Sequence, residues 1–133
     1  MGRTHLFSKS LFQSSAPFSH IVLGRGIGCV SGIIGQRPDN GTLVSEDVAA
    51  QADRMFDNLE IALSEAGLTL ADLLATHVYL VDYADFEVIN KVYRKRLVEP
   101  FPARTTLQVA GLPLGARVQI DATVDTSNIY ECV

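Results

Sequence analysis

The order of patterns along this chain predicts an α+β fold, in which a β-sheet is covered on one face by two helices. Three observations carry that expectation. Val48, Ala52, Met55, Phe56, Leu59, Ala62, Leu63 and Ala66 recur at helical spacing. Phe86, Ile89, Tyr93 and Leu97 mark one face of a second, shorter helix. Elsewhere short runs alternate with a period of two, most cleanly where Val118, Ile120, Ala122 and Val124 interleave with Arg117, Gln119, Asp121 and Thr123.

The elements follow in order. Thr4 to Ser8 alternates weakly and is expected to be a first strand. His20 to Leu23 and Ile27 to Ser31 flank Gly24-Arg25-Gly26, the mark of a hairpin. Gly32, Gly35 and Pro38-Asp39-Asn40-Gly41 make a turn-rich connection. Ser45 stands as a candidate cap of the first helix, with Glu46 and Asp47 at its positive end and Gly67 as its stop. Ala75 to Val81 reads as a strand whose Val78 and Leu80 point away from the side of His77 and Tyr79. Asp82 and Asp85 are candidate caps for the second helix, which Pro100 and Pro102 stop. Thr105 to Val109 and Ala116 to Thr126 read as a closing pair of strands joined through Gly111-Leu112-Pro113-Leu114-Gly115.

Composition bounds the function. With 133 residues, 47% of them hydrophobic, one domain over residues 1–133 is expected. A net charge of -4 argues against bulk attraction to nucleic acid or an anionic membrane. Arg94-Lys95-Arg96 is a short basic run that reads as a solvated face rather than a ribonuclease surface. No apolar run approaches the roughly 20 residues of a membrane span, and no secretory apolar core is present. Residues 1–38 carry Arg3, Lys9, Arg25 and Arg37 but no acid, a loosely targeting-like pattern in a stretch that also reads as strands. A reduced, cytoplasmic chain is the expectation. Cys29 and Cys132 form no CxxC pattern, and His5, His20 and His77 form no metal motif, so neither metal nor cofactor is expected.

A specific series of residues then carries a resemblance. It comprises Ser31-Gly32, Ala49-Ala50-Gln51-Ala52, Asn58-Leu59, Ala66-Gly67-Leu68, Val81-Asp82, Asp85-Phe86, Asn90, Tyr93, Phe101-Pro102-Ala103-Arg104-Thr105 and the alternating strand through Asp121. In order and spacing it resembles the Rid/YjgF family of reactive-intermediate deaminases over roughly residues 16–125. The resemblance implies a chorismate-mutase-like fold with a mixed sheet, and a homotrimer whose sheets form a central β-barrel. Clefts would lie between adjacent subunits. It further implies hydrolysis of small carboxylate-bearing enamines or imines to keto acids and ammonia, without metal or organic cofactor.

The residues can be weighed for that chemistry. Arg104 offers a planar pair of donors matched to a carboxylate, and the family's substrate-holding arginine falls on it. The family glutamate that would orient water is matched to Asp121, shorter by one methylene or about 1.5 Å. The alternative is that Asp121 decorates the polar side of its strand. Phe18 keeps the ring of a family tyrosine without its hydroxyl, and His20 is a further polar candidate near it. Ser31 and Gly32 match the family's cleft serine and glycine, and Asn90 a family position on the second helix. Thr106 replaces a cysteine and retains its backbone N–H, which excludes a thiol nucleophile there; Ile33 replaces a common glutamine. Together these substitutions make the cleft less polar and point to a divergent member with altered substrate preference. The alternative function is a non-catalytic keto-acid-binding protein of the same fold.

Overall fold

A computed structural model describes residues 2–130. Cys132 lies outside the described residues. The sheet is built from β1 (Thr4–Leu6), β2 (Ile21–Gly24), β3 (Ile27–Ile33), β4 (Leu73–Leu80), β5 (Ala103–Gln108) and β6 (Val118–Asp125), with α1 (Val48–Glu65), α2 (Phe86–Arg96) and a terminal turn of helix α3 (Ser127–Tyr130). Strand order is β1-β2-β3-β6-β4-β5. Only the β4–β5 pairing is parallel; the others are antiparallel.

That order corrects the expected closing pair. β5 and β6 are not neighbours, because β4 lies between them. A parallel pair needs a crossover longer than a turn, and α2 supplies it between β4 and β5. β5 consequently forms one edge of the sheet, which is where the site develops.

The first strand ends at Leu6 rather than at Ser8, whose buried N–H donates to His20 Nδ1 at 2.8 Å. The β2–β3 hairpin turns through Arg25 and Gly26, both with positive φ (54° and 82°), so glycine at the second position relieves the strain. At α1 the cap is Asp47, whose carboxylate accepts from the Ala50 N–H at 2.9 Å; Ser45 instead accepts from the Asp47 N–H. Gly67 (φ 74°) closes the helix, with Leu68 N–H donating to Leu63 O and Gly67 N–H to Ser64 O. Those two bonds satisfy carbonyls the helix leaves open. Asp82 caps the turn before α2, whereas Asp85 does not cap; its carboxylate takes two bonds from Arg117 Nη2, each 2.8 Å.

The core lies between the helices and one sheet face. Met55, Phe56, Leu59 and Leu63 of α1 and Ile89 of α2 are fully buried against Ile21, Val78, Leu80, Val118, Ile120 and Val124. α1 approaches closely because position 35 is glycine: a Cβ there would stand 2.4 Å from the Gln51 carbonyl oxygen. Gln51 locks this approach, donating to Ser45 O and accepting from the Arg117 N–H. The opposite sheet face carries His77, Tyr79, Gln119 and Asp121 beside exposed Ile27 and Leu107.

His20 illustrates how the N-terminal segment is held. Its ring stacks on Phe7 with centroids 4.1 Å apart, and its Nδ1 must be unprotonated to accept from Ser8. Burial lowers its pKa below the ordinary 6.5, opposed by the charge of Glu65. The unfolded chain therefore binds the proton first as pH falls below that value, and folded stability drops from there toward the lowered pKa. Thermal unfolding from pH 7.5 to 5.5 is expected to show a steeper loss for the wild type than for His20→Asn, whose amide oxygen keeps an acceptor without titrating. Parallel slopes would contradict this reading of His20.

Candidate functional site

The sheet alternation decides which residues can meet. In register, Thr76 of β4 lies between Arg104 of β5 and Ala122 of β6, so all three share the helix-covered face. His77, the next residue, pairs with Asp121 on the open face. Arg104 and Asp121 of one chain therefore project from opposite sides of the sheet.

Arg104 is held from three directions. Its Nε donates to Thr106 Oγ1 at 2.8 Å, two residues along the same strand face. Its guanidinium carbon lies 4.5 Å from the centre of the Tyr93 ring and 5.5 Å from that of Phe86. Both are within the range in which a ring face attracts a cation. Nη2 is buried and has no partner among the described residues. Burial lowers the guanidinium pKa, offset by nearby Tyr93 and Tyr83 and reinforced by the like charge of Arg94. The group keeps its charge, since arginine does not deprotonate in proteins.

A pocket of about 410 Å³ surrounds it, lined by Phe86, Asn90, Tyr93, Arg94, Phe101, Pro102, Arg104 and Thr106. Among the described residues no carboxylate lines this pocket. Asn90 Oδ1 is likewise buried without a partner among the described residues, while its Nδ2 donates to Glu87 Oε1 at 3.0 Å. Two residues lining one pocket thus each carry a buried polar atom without a partner, a donor on Arg104 and an acceptor on Asn90. Leaving either unsatisfied costs roughly 1–3 kcal/mol, so the pair suits a ligand carrying both an anionic oxygen and an N–H or O–H.

Of the residues singled out from sequence, Arg104, Thr106 and Asn90 come together here. Phe18, His20 and Gly32 line a different hollow beneath the N-terminal segment. Ser31 Oγ donates to Ser19 O at 2.6 Å and so ties that segment down. β3 stands three strand positions from β5, a separation of roughly 14 Å. Within one chain these residues do not reach Arg104. Asp121 accepts from Tyr79 Oη at 2.8 Å and bonds His77 Nδ1 at 2.7 Å. That hydrogen bond, with burial and the adjacent charge, raises the Tyr79 pKa. Gly32 lies against Gln119, since a Cβ at position 32 would fall 2.7 Å from the Gln119 Nε2.

Sequence reading missed Phe86, Tyr93 and Arg94 as pocket residues. Phe86, Asn90 and Arg94 are four apart, which sets them on one side of α2, and that spacing was available as a signal. The basic run also divides: Arg96 bonds Asp53, Asp57 and Glu60 of α1, whereas Arg94 turns to the pocket.

Fold and site together define a six-stranded α+β protein with an arginine-lined pocket between its second helix and an edge strand. The family model described as Endoribonuclease L-PSP matches residues 8–126. The human 2-iminobutanoate/2-iminopropanoate deaminase is 39% identical over 106 residues, covering 80% of this chain and 77% of that protein. Reactive Intermediate Deaminase A, chloroplastic, of Arabidopsis thaliana is 35% identical over 79% of this chain, which spans 56% of that longer protein. The Rid-family protein YyfA of Yersinia pestis superimposes with a TM-score of 0.90 at 28% identity, covering 94% of this chain and all of that one. RidA from an Antarctic Psychrobacter gives 0.87 at 32% identity, with 92% and 98% covered. The chain belongs to the Rid/YjgF family.

The Thr106 contact yields a direct expectation. Thr106→Val keeps the shape but removes the acceptor that fixes Arg104. Binding of 2-oxobutyrate, followed by calorimetric titration, should weaken about three- to tenfold, the net worth of one ordinary hydrogen bond, because the substitution acts on the ligand only through the set of the guanidinium. Unchanged affinity would mean the strand alone orients the guanidinium.

Proposed function

We propose that the chain hydrolyses small carboxylate-bearing imines, and enamines after their tautomerisation, to keto acids and ammonia. The observation that carries this is Arg104 Nη2, without a partner among the described residues, beside a pocket that no described carboxylate lines. Its substrate would be an anion held by the planar guanidinium. Asn90 Oδ1 would accept an N–H of the substrate, which orients the C=N carbon toward an approaching water. Water adds to that carbon, the nitrogen takes a proton, and the carbinolamine expels ammonia as the C=O forms. The relatives named as a reactive intermediate deaminase and a 2-iminobutanoate/2-iminopropanoate deaminase support this reading.

The remaining groups would come from a second copy. In a homotrimer with the open sheet faces turned inward, Phe18, Ser31 and Gly32 of one protomer would complete the pocket around Arg104 of its neighbour. Asp121 would orient water across that same boundary. The fixed separation of these groups in one chain supports this division.

One observation favours the alternative of a non-catalytic keto-acid binder. Both Asp121 oxygens are already engaged, by His77 and Tyr79. The basic run does not favour a nucleic-acid surface, since Arg96 is spent on three acids of α1.

The test generates 2-iminobutyrate in place with a dehydratase and traps unhydrolysed imine with semicarbazide. Wild type should suppress the trapped product. Arg104→Ala should lower kcat/KM roughly 10- to 150-fold, the loss of a charge-assisted bond. If wild type and variant trap alike, the hydrolase reading fails; if wild type binds keto acid without suppressing the product, the binder reading takes its place.

A further inference from the structure

Arg94 is the pocket residue whose chemistry the proposed reaction does not use. It lies one helical turn beyond Asn90 and two beyond Phe86, on the side of α2 that lines the pocket. Among the described residues Arg94 has no ion-pair partner, in contrast to Arg96, which meets three. Glu87, the nearest acid on the helix, is bonded to Asn90 and does not line the pocket. Among the described residues the lining therefore holds two arginines and no carboxylate.

A single carboxylate on Arg104 leaves the second cation uncompensated. The aromatic rings do not argue for a purely apolar side chain, because Phe86 and Tyr93 already lie against the Arg104 guanidinium. The pocket volume of about 410 Å³ also falls within the roughly 300–1,000 Å³ of small-molecule sites, with room beyond a four-carbon acid.

We propose that Arg94 is a specificity-determining residue that selects substrates bearing a second acidic group, imino dicarboxylates of the aspartate or glutamate type, over those with neutral side chains. The proposal rests on the carboxylate-binding role of Arg104 and names the substrate class for that site. Arg104 holds the carboxylate beside the C=N carbon, and Arg94 receives the distal one at the pocket mouth. The like charge of Arg94 felt at Arg104 fits their sharing one field.

Stable keto acids test this without requiring turnover. Titration compares 2-oxoglutarate with 2-oxobutyrate on wild type, Arg94→Lys and Arg94→Glu. Wild type should bind 2-oxoglutarate more tightly, and Arg94→Lys should keep most of that preference. Arg94→Glu should reduce the preference about tenfold, since an exposed ion pair is replaced by a like-charge contact. The difference should shrink as salt rises. Equal affinity for both acids in wild type, a preference unmoved in Arg94→Glu, or no binding of either acid overturns the proposal. Parallel imine assays separate the two readings: selective binding without imine consumption overturns the hydrolase alone.

Discussion

The hydroxyl–hydroxyl bond between Tyr93 and Thr76, 2.9 Å long and buried, ties the site to the fold. Tyr93 sits on α2 and Thr76 on β4, so one contact sets the height of the helix over the sheet. The same ring meets Phe56 of α1 edge-on at 5.7 Å, which couples both helices to it. Its face then lies against the Arg104 guanidinium, and Thr106 fixes that group's Nε from the strand below. The orientation of the cation is thus set by core packing. Among the described residues its buried Nη2 is left for something else to satisfy.

This economy has a consequence for catalysis. Every group that binds Arg104 does so through the helix-covered face, while Asp121, Gln119 and His77 belong to the open face. Sheet alternation makes the two sets mutually inaccessible within a chain, because a strand cannot point one side chain both ways. Under the proposed reading, binding and water activation reside on different protomers, and assembly becomes a condition of turnover. The exposed Ile27 and Leu107 on the open face are what such an assembly would cover.

Much of this was legible in the sequence. The long apolar stripe of α1, the Gly67 stop and the alternation of β6 follow from local rules and appear as expected. The Phe-Pro-Ala-Arg segment led to Arg104 through its resemblance to the family's arginine, at a strand start that proline approaches rigidly. What failed to appear was non-local. Nothing in the residues between β5 and β6 says that β4 lies between them; that follows from where a crossover helix must return. Asp85 resembled a cap because its position suited one, but Arg117, thirty-two residues later in sequence, claims the carboxylate. Arg94 was read with Lys95 and Arg96 as one charged run, although a helix rotates successive residues about 100° apart and so gave them different surroundings.

The central claim is that Arg104 presents a free, oriented guanidinium to a small anion. Its side-chain ¹⁵N–H resonances, assigned by comparison with Arg104→Lys, report that directly. Addition of 2-oxobutyrate is predicted to shift and sharpen the Arg104 Nη signals as the buried nitrogen acquires its partner, leaving those of ion-paired Arg96 and Arg117 in place. Arg104 signals unmoved at saturating keto acid, or already shifted without it, would contradict the account.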